Sequence, residues 1–372
     1  MSQSEATTSA PQLSLTDHLI NRIRREGPIT FREWMREALY NDAAGYYTRP
    51  GATIWGRTGD YRTSPERSGL FAATFARFFT ELYEHLDRPQ HFKIVECGAG
   101  DGSFAEGALQ SLRAYFPDVY SAIAYFVGEV SPRRLNDLKQ RLGKFGAKVE
   151  FVNHDNVCEL DPGIVFSNEL LDSFPVNLIT KHDGELIELY VGFNDSSGFD
   201  WVSGPLSSKA LREMYEEIGT EIGEDQIIEL SLDIDEWMKM VASKLRKGYV
   251  VTVDYGAEAK DLYENPDRLQ GTVRAYARHK FVDVLTNPGD HDITAHVNWT
   301  RVQSVGSALG LKSVRFQQQD KFLLAAGLLS ELERRLATAP DEAEKTRLTT
   351  AAREMVLPNG MAASFQVLVQ EK

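Results

Sequence analysis

From residue 92 onward the chain alternates short apolar runs, rich in β-branched and aromatic residues, with stretches of helical spacing. Few folds accommodate that alternation. The runs are "FKIVEC", "AIAYFVGE", "KVEFVNHD", "GIVFSNE" and "GYVVTVDYG", followed near the end by "KSVRFQQ" and "ASFQVLVQ". A helix between two strands returns the chain to the same end of a sheet, so the pattern predicts an α/β fold, a doubly wound parallel sheet with helices on both faces. The first run continues into "IVECGAGDGSF", where glycines at 98, 100 and 102 make a tight turn and a helix is expected to open near Ser103. A strand, glycine turn and helix in this order usually hold a nucleotide-like ligand at the helix N-terminus.

Charge narrows the choice of ligand. A dinucleotide fingerprint spaced GxGxxG would end on glycine where this chain has Ser103, and the turn is preceded by Glu96, whose carboxylate would repel a pyrophosphate. S-adenosylmethionine carries a sulfonium and an ammonium and no phosphate, so Glu96, Gly98 and Gly100 favour it. Glu129 follows the second run, where a carboxylate can accept both ribose hydroxyls; that role would serve NAD equally, so it points to an adenosine ligand only. Asp155 and Asn156 follow the third run and could reach the adenine amino group and ring nitrogen, although either could instead cap a helix. Glu96, Glu129 and Asp155 end three consecutive predicted strands, at the carboxyl edge where open α/β sheets bind ligands.

The remaining regions read differently. Residues 1–12, "MSQSEATTSAPQ", are polar and are expected to be a disordered tail lacking the features of a secretory or transit signal. Residues 13–90 carry helical spacing, as in "LTDHLINRIRREG" and "TFREWMREALY", and predict an N-terminal helical cap. Residues 91–372 are expected to form the core, with an insertion over 176–247 that holds a hairpin, "LITKHDGELIELYVGF", and two amphipathic helices. No apolar run approaches the roughly 18 residues of a membrane span. With only Cys97 and Cys158, no disulfide framework is expected, and a reducing, cytoplasmic setting follows. A net charge of -13 disfavours nucleic acid and anionic membrane as partners.

Motifs spread from about residue 14 to 326 carry a closer resemblance. They are "GPITFREWMREALYNDAAGYYTR", "GDYRTSPERSGLFA", "VECGAGDGSF", "EVSP", "SNELLDSFPV", "VDYG", "GTVRAYARHK" and "PGDHDITAHVNWT". Together they resemble the MidA family of class I S-adenosylmethionine-dependent methyltransferases, whose mitochondrial members are complex I assembly factors that dimethylate an arginine on a core subunit. The resemblance implies a Rossmann-like seven-stranded sheet, a methyl donor at the strand carboxyl edge and a substrate cleft roofed by the helical cap. It adds Thr63, Ser64, Pro65 and Asn168 to the residues expected at the donor. It also implies a protein partner that presents an arginine, such as a respiratory complex I subunit.

Read from its residues, "SNELLDSFPV" can form a substrate grip. Glu169 and Asp172 stand three apart just after a strand, so a helical turn there would put both carboxylates on one side. Two carboxylates suit a guanidinium, a planar fork of donors that stays charged because its pKa exceeds roughly 12. Asp172 could equally cap the turn while Glu169 stays solvated. In "PGDHDITAHVNWT", Asp292 and His296 are expected to line the substrate cleft or brace its loop, with structural hydrogen bonding as the competitor. His291, Asp292 and His296 lack a completing ligand set, so no metal is expected. "ELLDS" lacks the GxSxG elbow of a serine nucleophile. Cys97, Asn298 and Arg67 depart from the family pattern, and the changes fall more on the cleft than on the donor side. The acceptor therefore remains open between a protein arginine and a small amine or hydroxyl metabolite. A catalytically silent assembly chaperone with the same fold is the alternative class.

Overall fold

The computed structural model describes residues 14–49, 69–152, 158–277, 280–357 and 364–372. The first described segment holds α1 (Leu15–Glu26), β1 (Ile29–Thr30) and α2 (Phe31–Tyr40). Ser14 caps α1, and Thr30 with Glu33 forms a reciprocal capping box that starts α2 directly out of the strand. Next come α3 (Leu70–His85), β2 (Phe92–Cys97), α4 (Ser103–Tyr115), α5 (Pro117–Ala122), β3 (Ile123–Gly128), α6 (Pro132–Leu142), β4 (Val149–Val152) and β5 (Gly163–Asn168). A second group follows: β6 (Asn177–His182), β7 (Glu185–Asn194), β8 (Gly198–Gly204), α7 (Lys209–Ile218) and β9 (Ile228–Leu230). Then α8 (Leu232–Lys244) leads into β10 (Gly248–Ala257) and α9 (Ala259–Tyr263). The remainder is β11 (Arg274–Ala277), β12 (Lys280–Val282), β13 (Asp292–Thr294), β14 (Val297–Asn298), α10 (Trp299–Ala308), β15 (Lys312–Gln318), α11 (Gln319–Ala325), α12 (Leu328–Thr338), α13 (Glu342–Val356) and β16 (Phe365–Glu371).

The seven apolar runs of the sequence pair in the order β4-β3-β2-β5-β10-β16-β15, with β14 adding a short pairing to β10. Strands β4 to β10 in that order are parallel, and β16 runs antiparallel to both β10 and β15. Because β2 and β5 are neighbours while their crossovers lead to opposite sides, the carboxyl ends of β2, β3, β5 and β10 open onto one crevice.

Each face of the sheet is closed by helices. On one side Phe104 of α4 stacks on Phe166 of β5 at 4.2 Å, and Phe75 of α3 lies 5.2 Å from both Phe166 and Phe322. On the other, Trp237, Met238 and Val241 of α8 and Trp299 and Val302 of α10 pack with Val95, Val165 and Val250.

Two boundaries differ from those read in the sequence. Helix α3, placed in the cap by residues 13–90, is a core helix, with Phe71, Phe75 and Phe79 fully buried. Its helical spacing identified the element but could not say which layer it covers. Helix α8, assigned to the insertion over 176–247, likewise belongs to the core face. What remains of both regions merges: β1 pairs antiparallel with β7, within a sheet ordered β1-β7-β6-β9 with β8 on the far side of β7. The turn between β6 and β7 uses Asp183 and Gly184, both with positive φ, as a two-residue hairpin requires. Helices α1 and α2 bury Leu19, Trp34 and Leu39 against Leu178, Val191 and Ile293. No helix among the described residues is long and apolar enough to cross a membrane.

Since α3 is part of the core, Phe75→Ala should destabilise the whole protein by about 3–5 kcal/mol, as a large aromatic cavity would. Chemical denaturation monitored by circular dichroism checks this. A loss well below 1 kcal/mol would show that α3 is peripheral.

Candidate active site

The crevice at the carboxyl edge of the sheet contains a cavity of about 550 Å³, within the range of small-molecule sites. Its floor is the loop after β2. Gly98, Gly100 and Gly102 all have positive φ, and a Cβ on Gly98 would come within 2.9 Å of the Leu170 side chain. It is the left-handed backbone that favours glycine here, since the contact is with the movable end of the Leu170 side chain. At the start of α4, Asp101 accepts a hydrogen bond from the backbone N–H of Ser103 at 2.9 Å and pairs with Arg141 at 2.7 Å. A carboxylate thus occupies the helix N-terminus where a dinucleotide would rest its pyrophosphate.

Glu96, the last residue but one of β2, is buried against this floor and accepts from the Tyr125 hydroxyl at 2.6 Å. Burial pushes its carboxyl up to about 8, opposed by that hydroxyl and assisted by Asp101. At the end of β3, Glu129 is buried and lines the cavity, its Oε1 accepting from the backbone N–H groups of Val130 and Ser131 at 2.9 and 3.1 Å. Those bonds fix the carboxylate's orientation before any ligand arrives. Asn168 ends β5 and also lines the cavity. Its Nδ2 donates to Glu169 at 3.1 Å, while its buried Oδ1 has no hydrogen-bond partner among the described residues. A buried acceptor left without a donor is costly unless a ligand supplies one. Two cavity carboxylates, an orphan amide oxygen and a phosphate-excluding helix start fit a cationic, phosphate-free adenosine compound.

The next loop is shaped by a residue that the sequence reading passed over. Asp254, fully buried in β10, receives the backbone N–H groups of Leu170, Leu171 and Asp172 on Oδ2 at 3.2, 2.9 and 3.3 Å, and that of Tyr255 on Oδ1 at 2.9 Å. Burial, with Asp172 and Glu169 nearby, pushes its carboxyl well above the ordinary range, and the backbone donors pull the other way. The quoted "VDYG" contained this residue, but nothing local distinguishes a strand-end aspartate that organises another loop.

The expected pairing of Glu169 with Asp172 is corrected by this geometry. Glu169 has a φ of 51°, and only Leu171–Ser173 form a helical turn, so the two residues share no helical face. Glu169 lines the cavity, whereas Asp172 is buried behind it. Burial pushes the Asp172 carboxyl up to about 7, with the Tyr255 hydroxyl bonded to it lowering and Asp292 raising the value. Asp292 and His296 also separate. Asp292 is buried in β13 and accepts from the Tyr47 hydroxyl at 2.7 Å, and Tyr47 lines the cavity. Beyond Thr294 the strand ends, Ala295 donates to the Asp172 carbonyl, and His296 turns into a second cavity of about 30 Å³ beside Glu229, Tyr263 and Arg301. Burial, with Arg268 and Arg274, pushes His296 down to about 4, so it is neutral at physiological pH. His296 therefore stands apart from the main cavity. Thr63, Ser64, Pro65, Asp155 and Asn156 lie outside the described residues, as does Arg67.

The opposite wall comes from outside the sheet and was missed as well. Arg36, Tyr40 and Tyr47 of the N-terminal segment and Asp233, Trp237 and Met240 of α8 line the cavity. The Tyr40 hydroxyl donates to the Ser173 carbonyl at 3.1 Å, and Arg36 pairs with Asp233 at 2.8 Å. The motif "ALYNDAAGYY" held the signal, but its tyrosines also serve packing, Tyr46 being fully buried with Tyr40 and Tyr47 packed against the same cluster, so the motif alone does not separate site from core.

Comparison with known proteins agrees with this chemistry. Residues 74–317, well over half the chain, match the family model described as "Putative S-adenosyl-L-methionine-dependent methyltransferase". A Drosophila melanogaster protein named protein arginine methyltransferase NDUFAF7 homolog, mitochondrial, is 27% identical over 80% of this chain and 71% of its own length. A Xenopus tropicalis protein named protein arginine methyltransferase NDUFAF7, mitochondrial, is 26% identical over 90% and 80%. A crystal structure from Burkholderia thailandensis, of a protein assigned to methyl transfer and bound to S-adenosyl-homocysteine, superposes with a TM-score of 0.85. It is 28% identical and covers 96% of this chain and 92% of that one. The cofactor is S-adenosylmethionine, and Glu96, Gly98, Gly100, Glu129 and Asn168 line the cavity at the carboxyl edge.

Two outcomes test this assignment. Glu129→Ala should weaken S-adenosylhomocysteine binding by about 1–3 kcal/mol in isothermal titration, the loss expected for charge-assisted hydrogen bonds to buried hydroxyls; unchanged affinity in a folded variant refutes the role. Glu96 is protonated below about 8 in the free protein, and a cationic ligand favours its ionised form. Binding of S-adenosylmethionine should therefore release a proton, and affinity should rise between pH 6 and 8 by at most about tenfold per pH unit. Glu96→Gln should flatten that rise; an identical slope in the variant assigns the proton elsewhere.

Proposed function

This chain belongs to the MidA family of S-adenosylmethionine-dependent methyltransferases, and from that premise we propose that it methylates the guanidinium of an arginine presented by a protein. The observation that carries the reading is Glu169, a carboxylate residue whose strained backbone sets it on the lining of the donor cavity. A non-glycine residue with positive φ in a buried loop persists only where its surroundings enforce it, and such residues cluster at functional sites. Here the enforcing group is Asp254.

When bound, S-adenosylmethionine supplies an electrophilic methyl group on a positively charged sulfur. The chain's own residues supply the rest. Glu169 attracts a guanidinium and pairs with its planar fork of donors, which a neutral hydroxyl acceptor could not use as fully. Tyr40 and Tyr47 offer further oxygens on the same cavity, and Trp237 and Met240 give an apolar wall for the arginine stem. Holding nitrogen and methyl carbon in line is worth on the order of 7–11 kcal/mol of the barrier. Asp42 and Glu236, both exposed at the mouth, favour a basic acceptor segment. The names of the fly and frog relatives support a protein arginine as acceptor, and a respiratory complex I subunit is the partner class that the resemblance brings forward.

Mass spectrometry of proteins from cells with and without this chain tests the reading: mono- or dimethylarginine peptides should disappear when the chain is absent. A change confined to methylated small metabolites, or no change with donor binding intact, overturns it in favour of a metabolite enzyme or an assembly chaperone. In single-turnover transfer with saturating donor, Glu169→Gln should keep donor affinity and slow transfer by at least about tenfold, roughly 1.4 kcal/mol in the transition state. Transfer at the wild-type rate would make Glu169 a structural residue.

A further inference from the structure

Methylation of a guanidinium leaves one proton more than the product can keep, and the cavity has to receive it. Glu169 pairs with the guanidinium as a whole. The two tyrosines on the opposite wall differ in what stands behind them. Tyr40 meets the carbonyl of Ser173 at 3.1 Å and its hydroxyl at 2.8 Å, neither of which stores a proton as a carboxylate does. Tyr47 donates to the carboxylate of Asp292, which is 3% exposed, sits on β13 outside the seven-stranded sheet, and does not itself line the cavity. The groups around Asp292 are also in view. Asp172, Tyr40 and Tyr276 all feel its charge, and the Arg134 guanidinium lies 5.7 Å from the centre of the Tyr47 ring. A cation over the ring eases ionisation of the phenol, and a buried carboxylate at hydrogen-bond distance can take the phenolic proton.

We propose that Tyr47 is the catalytic residue that receives the acceptor's proton and that Asp292 stores it. The proposal rests on the reading of the site as one that methylates a nitrogen bearing a proton. In the step, a bond forms between the acceptor nitrogen and the methyl carbon, while the bond from that carbon to sulfur breaks with its electron pair left on sulfur. The N–H bond breaks with its pair kept on nitrogen, its proton goes to Tyr47 Oη, and the phenolic proton passes to Asp292 Oδ1. Asp292 ends neutral and no other reactant is consumed. The route joins the N-terminal segment to β13, which accounts for a functional need for both outside the sheet.

Two readouts test it. First, proteins extracted from cells lacking this chain are incubated with the purified enzyme and donor labelled in the methyl group. Tyr47→Phe should lower transfer to arginine by about a hundredfold or more, the usual scale of a lost general base, with S-adenosylhomocysteine affinity unchanged. Asp292→Asn should lower it comparably, Asp292→Glu should restore part of the loss, and wild type should be slowed in heavy water while Tyr47→Phe should not. Second, in the intact wild-type protein with isotope-labelled tyrosine, the Tyr47 ring-carbon resonance should shift when methylguanidinium is titrated in with S-adenosylhomocysteine present. A Tyr47→Phe variant that loses donor affinity, one that transfers at the wild-type rate, or a Tyr47 resonance that responds to S-adenosylhomocysteine but not to methylguanidinium, overturns the proposal. If the wild-type enzyme labels something other than arginine, the arginine reading fails, and the ratio of variant to wild-type rate on that acceptor still judges the proton route.

Discussion

One buried carboxylate holds the two halves of the site together. Asp254 lies within strand β10, and its side chain gathers three successive backbone N–H groups of the loop that follows the neighbouring strand β5. Those amides are sealed from water, and without an acceptor each would cost on the order of 1–3 kcal/mol. The loop therefore cannot relax into an ordinary helical start. It takes the one conformation that satisfies Asp254, which forces Glu169 into positive φ and turns Asp172 away from the cavity. Asn168 and Glu169, on the donor and acceptor sides of the same loop, are thus set by a residue some eighty positions away in the chain.

Electrostatics then decides what the crevice accepts. Glu96 and Glu129 end successive strands, Asp101 occupies the start of α4, and Glu169 comes from the next loop. Their shared sign disfavours a pyrophosphate and rewards a positively charged donor. Burial opposes such a concentration of like charge and keeps Glu96 and Asp172 protonated more readily than ordinary carboxyls. The cationic ligands are what make the ionised state affordable. The opposite wall lends hydroxyls and apolar surface instead of charge, from α2, the segment after it, and α8.

Much of the sheet was legible because its strands are buried on both faces. Continuous runs such as "GYVVTVDYG" have no polar alternation to confuse them with exposed strands, and each of the seven expected runs became a strand of the sheet. The glycine loop was legible for a related reason: three positive-φ positions in five residues can be met cheaply only by glycine. Layer assignment was not legible. Helix α3 buries Leu70, Phe71, Ala73 and Phe75 round most of its surface, where α1 buries the single stripe of Leu15, Leu19 and Ile23, but periodicity reports which side of a helix is covered, not by what.

Sequence by itself determined the strand order's raw material, the ligand edge and the charge of the donor: local patterns that depend on a residue and its near neighbours. Glu96, the glycines and Glu129 belong to that class because each sits at a strand end whose place in an α/β sheet follows from topology, whereas Asn168 came from the family resemblance. Tertiary structure alone decided which residues meet on the wall of the cavity opposite the sheet. Tyr47 meets Asp292 across 245 positions, Tyr40 meets Ser173 across 133, and His296 is carried away from Asp292 although only four residues separate them. Such pairings arise when separate segments pack to bury their apolar faces, as α1 and α2 do against the β6–β7 hairpin. The contacts are consequences of a global minimum in buried surface and satisfied hydrogen bonds, and no local spacing encodes them.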